Sequence, residues 1–324
     1  MTDFHLPDPT SWCGTLQVSD LGVIQAQGEE AAAFLHGQLS QDVSNQTVHE
    51  ARLAAYCSPK GRMLGSFLNL RPQADLLWLI ADRSTVPALV KRLSMFVMRA
   101  KAKLTDASDN VVLWGVVGAS AGAVLGAPAA AATWSVQPVA GGQLVRLPDV
   151  LGVPRWLWAG ASDAAQEHLG AASQLPSLPA DQWHWLDVMS GIARVQQATV
   201  DQFVPQMVNY ELVGGVNFQK GCYPGQEVVA RSQYRGTTKR RAFIVHADQV
   251  LSPGQEVFSE ADPGQPAGMV ILAAPVPGAS PQSSALVELK LAAREAALRA
   301  GSAEGVVMRL GTLPYALPSD DASD

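Results

Sequence analysis

Lys220-Gly221-Cys222-Tyr223-Pro224-Gly225-Gln226-Glu227, running on into Val228-Val229-Ala230-Arg231, sets a single thiol between a lysine and a Gly-Gln-Glu. Two glycines and a proline surround it, so neither a helix nor a strand continues easily through the cysteine. Gly221 tolerates torsions that a side chain forbids and Pro224 fixes one torsion just beyond Cys222, which makes the loop stiff. The thiolate is the nucleophile, soft-metal ligand and redox-active form, and a neighbouring positive charge favours it. Lys220 and Arg231 are the candidates for that charge. The plainer alternative is that Cys222 packs as a small buried hydrophobe, as many free cysteines do.

Working outward, the chain of 324 residues is long enough for two or three domains, and 48% apolar with 16% charged residues describes a folded, core-forming protein. A net charge of −6 gives no global attraction for nucleic acid or an anionic membrane, so a polyanionic partner must meet a local patch. Met1 to Pro7 lacks the basic start and apolar run of a signal peptide, and no apolar stretch long enough to span a bilayer follows. The chain therefore reads as cytoplasmic, with no membrane partner. Cys13, Cys57 and Cys222 are far apart and form no C-x-x-C pair, so no disulfide framework, bound metal or self-contained iron–sulfur cluster is expected.

The pattern predicts a strand over 18–27, an amphipathic helix opening at Gly28, and a hairpin from Leu53 to Leu70 around Ser58-Pro59-Lys60-Gly61. A strand over 76–81 and a helix over 86–98 follow, the helix with Leu89, Val90, Leu93, Phe96 and Val97 on one face. A further strand is predicted over 111–117 and a helix over 119–132. Trp183 and Trp185 begin a helix ending near Gly191, and their i, i+2 spacing predicts that at most one is fully buried. Beyond Arg241, apolar runs at 242–246, 268–273, 285–291 and 305–310, separated by Pro-Gly turns, predict a small antiparallel barrel or sandwich.

Phe203-Val204-Pro205-Gln206-Met207-Val208-Asn209, Gly214-Gly215-Val216-Asn217-Phe218-Gln219, Lys220 to Glu227 and Tyr234-Arg235-Gly236-x-x-Lys239-Arg240 together resemble the YgfZ family of folate-binding proteins, relatives of the glycine-cleavage T-protein. Similar matches are Phe34-Leu35-x-Gly37-Gln38-Leu39-x-x-Asp42-Val43, Ala54-Ala55-Tyr56-Cys57-x-Pro59-Lys60-Gly61-Arg62-Met63 and Leu313-Pro314-Tyr315. The resemblance implies an α+β fold, a T-protein-like ring of three parts around a central opening. Residues 1–235 would form two α+β lobes divided near 50 and 145, and 236–324 an antiparallel β-barrel. It also implies tetrahydrofolate in the opening and a role in making or repairing iron–sulfur enzymes, including those that thiolate tRNA. Iron–sulfur proteins or cluster-assembly factors would then be partners.

In this resemblance the signature cysteine falls on Cys222. A folate-associated tryptophan falls on Trp183, and a second one falls on Leu21, a departure. Gln206 and Asn209 carry amides that suit the donor–acceptor edge of a pterin, or alternatively serve turn chemistry. Glu227 could accept from a pterin amine, and Tyr223 and Gln226 complete the expected ligand contacts. The T-protein's transferase acid corresponds to Ala88, with Asp82 displaced from the matching position. The reading is therefore an accessory protein rather than a standalone enzyme, with a tetrahydrofolate-dependent one-carbon transferase as the alternative.

The window 220–241 holds Lys220, Arg231, Arg235, Lys239, Arg240 and Arg241 against Glu227, six positive minus one negative, a local +5. That patch suits an anionic ligand such as folate glutamate, or a phosphate backbone. Direct tRNA binding is a third reading and not the favoured one, because only Tyr223 and Tyr234 interleave the cations.

Overall fold

A computed structural model describes residues 4–127, 130–139, 141–168, 175–234 and 238–318. The first sheet is built from β2 (Leu21–Gln27), α1 (Ala31–His36), β3 (Arg52–Cys57), β4 (Met63–Gln73), β5 (Leu76–Asp82), α2 (Val86–Val97) and β6 (Lys103–Asp106), with strand order β3-β4-β5-β2-β6. Alternation decides its two faces. Val23, Ala55 and Ile80 point toward the centre of the molecule, while Ile24, Ala54 and Leu79 meet the helices outside.

The second sheet repeats this plan with β7 (Val111–Val117), α3 (Ala119–Val124), β8 (Val136–Val139), β9 (Gly142–Val150), β10 (Val153–Ala161) and α4 (Ser162–His168). Its order is β8-β9-β10-β7-β1, where β1 is Gly14–Gln17. In the first sheet the edge beside β2 is taken by β6, the strand that follows α2. In the second sheet the equivalent edge beside β7 is taken by β1, from the start of the chain. The segment after α4 instead runs along β1, where Leu178 N donates to Thr15 O and Thr15 N to Pro176 O.

The strand predicted over 18–27 begins only at Leu21, as β2, and the preceding residues 14–17 form a separate strand, β1, that serves the other sheet. The chain passes from the first sheet to the second across 107–110, while position 145 lies inside β9 and Glu50 bridges to Ser135. Position 50 thus falls at an inter-sheet contact. The helix predicted over 119–132 is confined to α3, and residues 128 and 129 lie outside the described residues.

The last part is a closed antiparallel barrel, β11 (Arg240–Ala247), β12 (Glu256–Ser259), β13 (Gly268–Pro275), β14 (Ser283–Lys290), β15 (Leu298–Ala300) and β16 (Val307–Leu310), in the order β11-β14-β13-β12-β15-β16. The short β12 and β15 close it, and neither carries a long apolar run. Between the second sheet and the barrel runs α5 (Ala180–Met189), which packs on β13 and β14. Trp183 and Trp185 are both fully buried, at 1% and 0% exposure, against the expectation of one. The helix has core on both sides. Trp185 turns to the barrel, its Nε1 donating to Ser284 Oγ at 3.0 Å, while Trp183 lies on β7.

Candidate functional site

A cavity of about 120 Å³ opens where the two sheets, α5 and the barrel meet. Leu21, Trp134, Arg155, Trp183, Asp187 and Leu272 are among its walls, so all three parts of the fold contribute. Its size is close to that of the roughly 150 Å³ cavity that accepts a benzene ring. Trp183 reaches this position because Gly115 in β7 has no side chain. A Cβ there would stand 2.6 Å from the indole.

The polar groups at this wall form a chain of alternating charge. The Arg155 guanidinium lies 5.4 Å from the centre of the Trp183 ring, and its Nη1 donates to Asp187 Oδ1 at 2.9 Å. Arg155 is 2% exposed; burial lowers its pKa and the Asp187 carboxylate opposes that shift. On the other side of Asp187, Arg194 Nη1 is 3.5 Å from Oδ2. Arg194 also donates to Asp20 Oδ2 at 2.7 Å and lies 3.4 Å from Asp82 Oδ2. At the cavity the buried Trp183 Nε1 and Arg155 Nε find no hydrogen-bond partner among the described residues. Such atoms carry a desolvation cost that a polar ligand relieves.

The thiol loop is a separate structure. Lys220 is buried and its Nζ donates to His36 O and to Leu39 O, the latter at 2.8 Å, which ties the loop to the C-terminal end of α1. The ammonium also lies 4.9 Å from the centre of the Tyr223 ring. Burial lowers the Lys220 pKa to about 8, against the opposing charges of Asp42 and Cys222. Asn217 Oδ1 accepts from the backbone N–H groups of Gln219 and Lys220 at 2.8 and 3.1 Å. Gly225, at φ +78, passes so close to the Ser58 hairpin that a Cβ would lie 2.4 Å from Ser58 O. The result is a braced loop with Cys222 exposed at its tip.

Residues 10–157 match the family described as the GCVT N-terminal domain. The tRNA-modifying protein YgfZ of Sodalis glossinidius (strain morsitans) is 34% identical over 245 residues, covering 74% of this chain and 74% of that protein. The chain belongs to the YgfZ family. Its fold is also that of the glycine cleavage system aminomethyltransferase T from Bartonella henselae, at a TM-score of 0.73 and 16% identity, covering 93% of this chain and 86% of the other. The T-protein-like architecture and the closed C-terminal barrel expected from the sequence are therefore present.

In this YgfZ-family chain the expected site residues divide into groups. Leu21 and Trp183 share the central cavity. Lys220, Tyr223 and Gln226 belong to the thiol loop, where Gln226 Nε2 lies 3.4 Å from Lys220 O; burial raises the Tyr223 hydroxyl pKa. Glu227 is exposed in the first turn of α6 (Gln226–Tyr234). Arg231 sits in the last turn of that helix, in a groove with Val204, Met207 and Lys239. Of the two expected cations, Lys220 is the one whose bonds to His36 O and Leu39 O brace the thiol loop.

Gln206 and Asn209 line no part of the central cavity. Gln206 Nε2 donates to Val229 O at 2.7 Å and braces α6. Asn209, at φ 58, pairs with the Ala242 backbone, its Nδ2 donating to the carbonyl at 2.9 Å. Both amides do the work of turns and joints, the alternative that the sequence left open. Two of the six cations in the +5 window are answered by carboxylates. Arg240 pairs with Glu288 and Arg241 with Glu211, Lys220 is buried against carbonyls, and Arg235 lies outside the described residues.

The sequence reading missed Arg155, Asp187, Arg194 and Tyr210. Two signals were available: Asp187 follows Trp183 by one helical turn, and Arg155 interrupts an otherwise apolar strand. Ala88, the expected counterpart of the transferase acid, is exposed on α2, while Asp82 reaches the cavity's rim through Arg194. No helix of the described residues is long and apolar enough to cross a membrane, and none of their His, Cys, Asp and Glu side chains group as a metal site.

Proposed function

We propose that this protein is a folate-binding accessory protein, related to tRNA modification, that supports iron–sulfur enzymes, among them tRNA-thiolating ones. The observation that carries the folate half is the arrangement of Trp183, Arg155 and Asp187 at the meeting of the three parts. An indole stacks on a flat pterin or aminobenzoyl ring. Asp187 can accept from the N–H groups of a pterin edge, and Arg155 can donate to its carbonyl. The unpartnered Trp183 Nε1 and Arg155 Nε are both donors and fit a ligand that offers acceptors. Bound tetrahydrofolate would supply a one-carbon carrier.

Cys222 is the group presented to the partner, an iron–sulfur protein or a cluster-assembly factor. Its exposure on a loop braced at both ends supports that role. Lys220 acts as a positioning residue for it.

Calorimetric titration with tetrahydrofolate tests the ligand: wild type is expected to release heat and Trp183→Ala to release little. No heat from either protein removes the folate half. Loss of iron–sulfur enzyme activity in a Cys222→Ser strain is expected, and an unchanged strain removes the thiol half. A carboxylate on the cavity wall favours a second reading, one-carbon transfer. Asp187 is engaged by two guanidinium groups, which suits recognition better than proton transfer. Turnover of an aminomethylated donor by the purified protein would reverse that preference.

A further inference from the structure

We propose that the end of α2 and the segment leading into β6, Lys91 to Lys103, form an RNA-contacting surface for the phosphate backbone and an unpaired base of tRNA. The proposal rests on the tRNA half of the function proposed above. It relocates the contact from the 220–241 window, where Arg240 and Arg241 are held by carboxylates and Lys220 is buried. Residues 91–103 hold Lys91, Arg92, Arg99, Lys101 and Lys103 and no acid, in a chain of net charge −6. Lys91, Arg99, Lys101 and Lys103 are exposed. Arg92 is half-buried beside the Tyr56 hydroxyl, and Lys101 pairs with the exposed Glu29. Such exposed pairs are weak and open readily to a competing anion.

Complementing the helix dipole does not account for these cations. The last turn of α2 contains none of them; they stand before it and after it. Among them three large apolar side chains face outward: Met95 at 61% exposure, Phe96 at 47% and Met98 at 88%. The sequence pattern placed Phe96 on the core face, but that face is Val86, Leu89 and Leu93. Met98 is the most exposed of the three, and its φ of 42 is uncommon for a residue with a side chain.

An aromatic ring among exposed cations is the arrangement that stacks an unpaired base while its phosphates are held. A lipid surface fits less well. A helix lying in a membrane interface turns its apolar face to lipid, and the apolar face of α2 is committed to the protein core. The excess of positive charge, interrupted only where Glu29 and Glu30 meet Lys101, favours a polyanion, and tRNA is the polyanion that the function proposed above already involves.

The test is fluorescence anisotropy of the full-length protein with bulk tRNA over a range of salt, comparing wild type with Lys91→Glu/Arg99→Glu/Lys103→Glu and with Phe96→Ala. All four positions are exposed, and an unchanged urea midpoint checks that the variants fold. The triple variant is expected to bind about tenfold more weakly or worse at low salt, with a shallower dependence on salt, because each phosphate contact contributes roughly 0.7–0.9 to the slope. Phe96→Ala is expected to weaken binding with the slope unchanged. Arg231→Glu/Lys239→Glu is expected to weaken binding less than the triple variant does, and an equal or larger loss would return the contact to the 220–241 window. Equal binding by wild type and the triple variant overturns the surface and leaves the tRNA reading standing. Absence of tRNA binding by wild type at low salt overturns both. Wild-type binding to polyglutamate or to phosphatidylglycerol vesicles without binding to tRNA assigns the patch to an acidic polypeptide or a lipid surface, and overturns the RNA proposal.

Discussion

Lys220 and Cys222 stand two residues apart in the chain, whereas the groups around the Trp183 indole come from positions 21, 115, 155, 187 and 194. The thiol loop is local: its turn residues, its proline and its lysine lie in one stretch, and long-range contacts with α1 and the Ser58 hairpin only fasten it. The cavity exists nowhere in the sequence. It appears when β7, β10 and α5 are brought together and a glycine in one strand admits a tryptophan from a helix. The difference teaches that substitutions at the cavity disturb stability and ligand together, while substitutions at the loop tip disturb chemistry alone.

Arg155→Ala is the hardest blow to the cavity side of this comparison. It leaves Asp187 without its closest partner and removes the cation beside Trp183. Breaking a buried pair in this way costs about 3–5 kcal/mol. Urea unfolding is expected to show that loss, with tetrahydrofolate heat lost as well. A variant of wild-type stability would mean that the pair does not organise the wall. Gly115→Ala is expected to cost about 1–3 kcal/mol by overpacking against the indole, and to weaken tetrahydrofolate binding by displacing Trp183. Unchanged affinity at reduced stability would separate the ring from the ligand.

On the loop side, Lys220→Met leaves two carbonyls without their donor, at a cost of about 1–3 kcal/mol. Its pH dependence has a definite sign. Burial lowers the folded-state pKa from 10.5 to about 8, so between those values the unfolded chain binds more protons than the native one. Stability contributed by this group therefore rises with pH over that window. The difference between wild-type and Lys220→Met stability should grow from pH 8 to 10.5, and a constant difference would contradict the burial of the ammonium. Cys222→Ser is expected to change stability by less than about 0.5 kcal/mol, as for an exposed position without special contacts, while abolishing support of iron–sulfur enzymes. A marked loss of stability would make the thiol a structural group.

Much of the secondary structure was legible in the chain. Continuous apolar runs announced β5 and β7, the Pro-Gly turns announced a small antiparallel barrel or sandwich, and the 220–227 stretch announced the family. The short strands β12 and β15 were not legible, because three or four residues carry too little pattern to stand out. Phe96 was misplaced because helical periodicity says which residues share a face, and not where that face stops being covered. The +5 window was read from cations alone, and the carboxylates that answer two of them, Glu288 and Glu211, lie 48 and 30 residues away in the chain.

By itself the sequence determined what depends on neighbours along the chain: strand and helix periods, the stiff loop that exposes Cys222, and the turns between the strands of the last part. These follow from backbone torsions and local hydrophobic repeats. Only the tertiary structure decided that β1 takes the edge of the second sheet although β2 follows it into the first, that both Trp183 and Trp185 are buried, and that Arg155, Asp187 and Arg194 line up at one cavity. Each of these depends on which surfaces lose water against one another. Burial then made those charges seek partners far away in the chain, a pairing that no local pattern encodes.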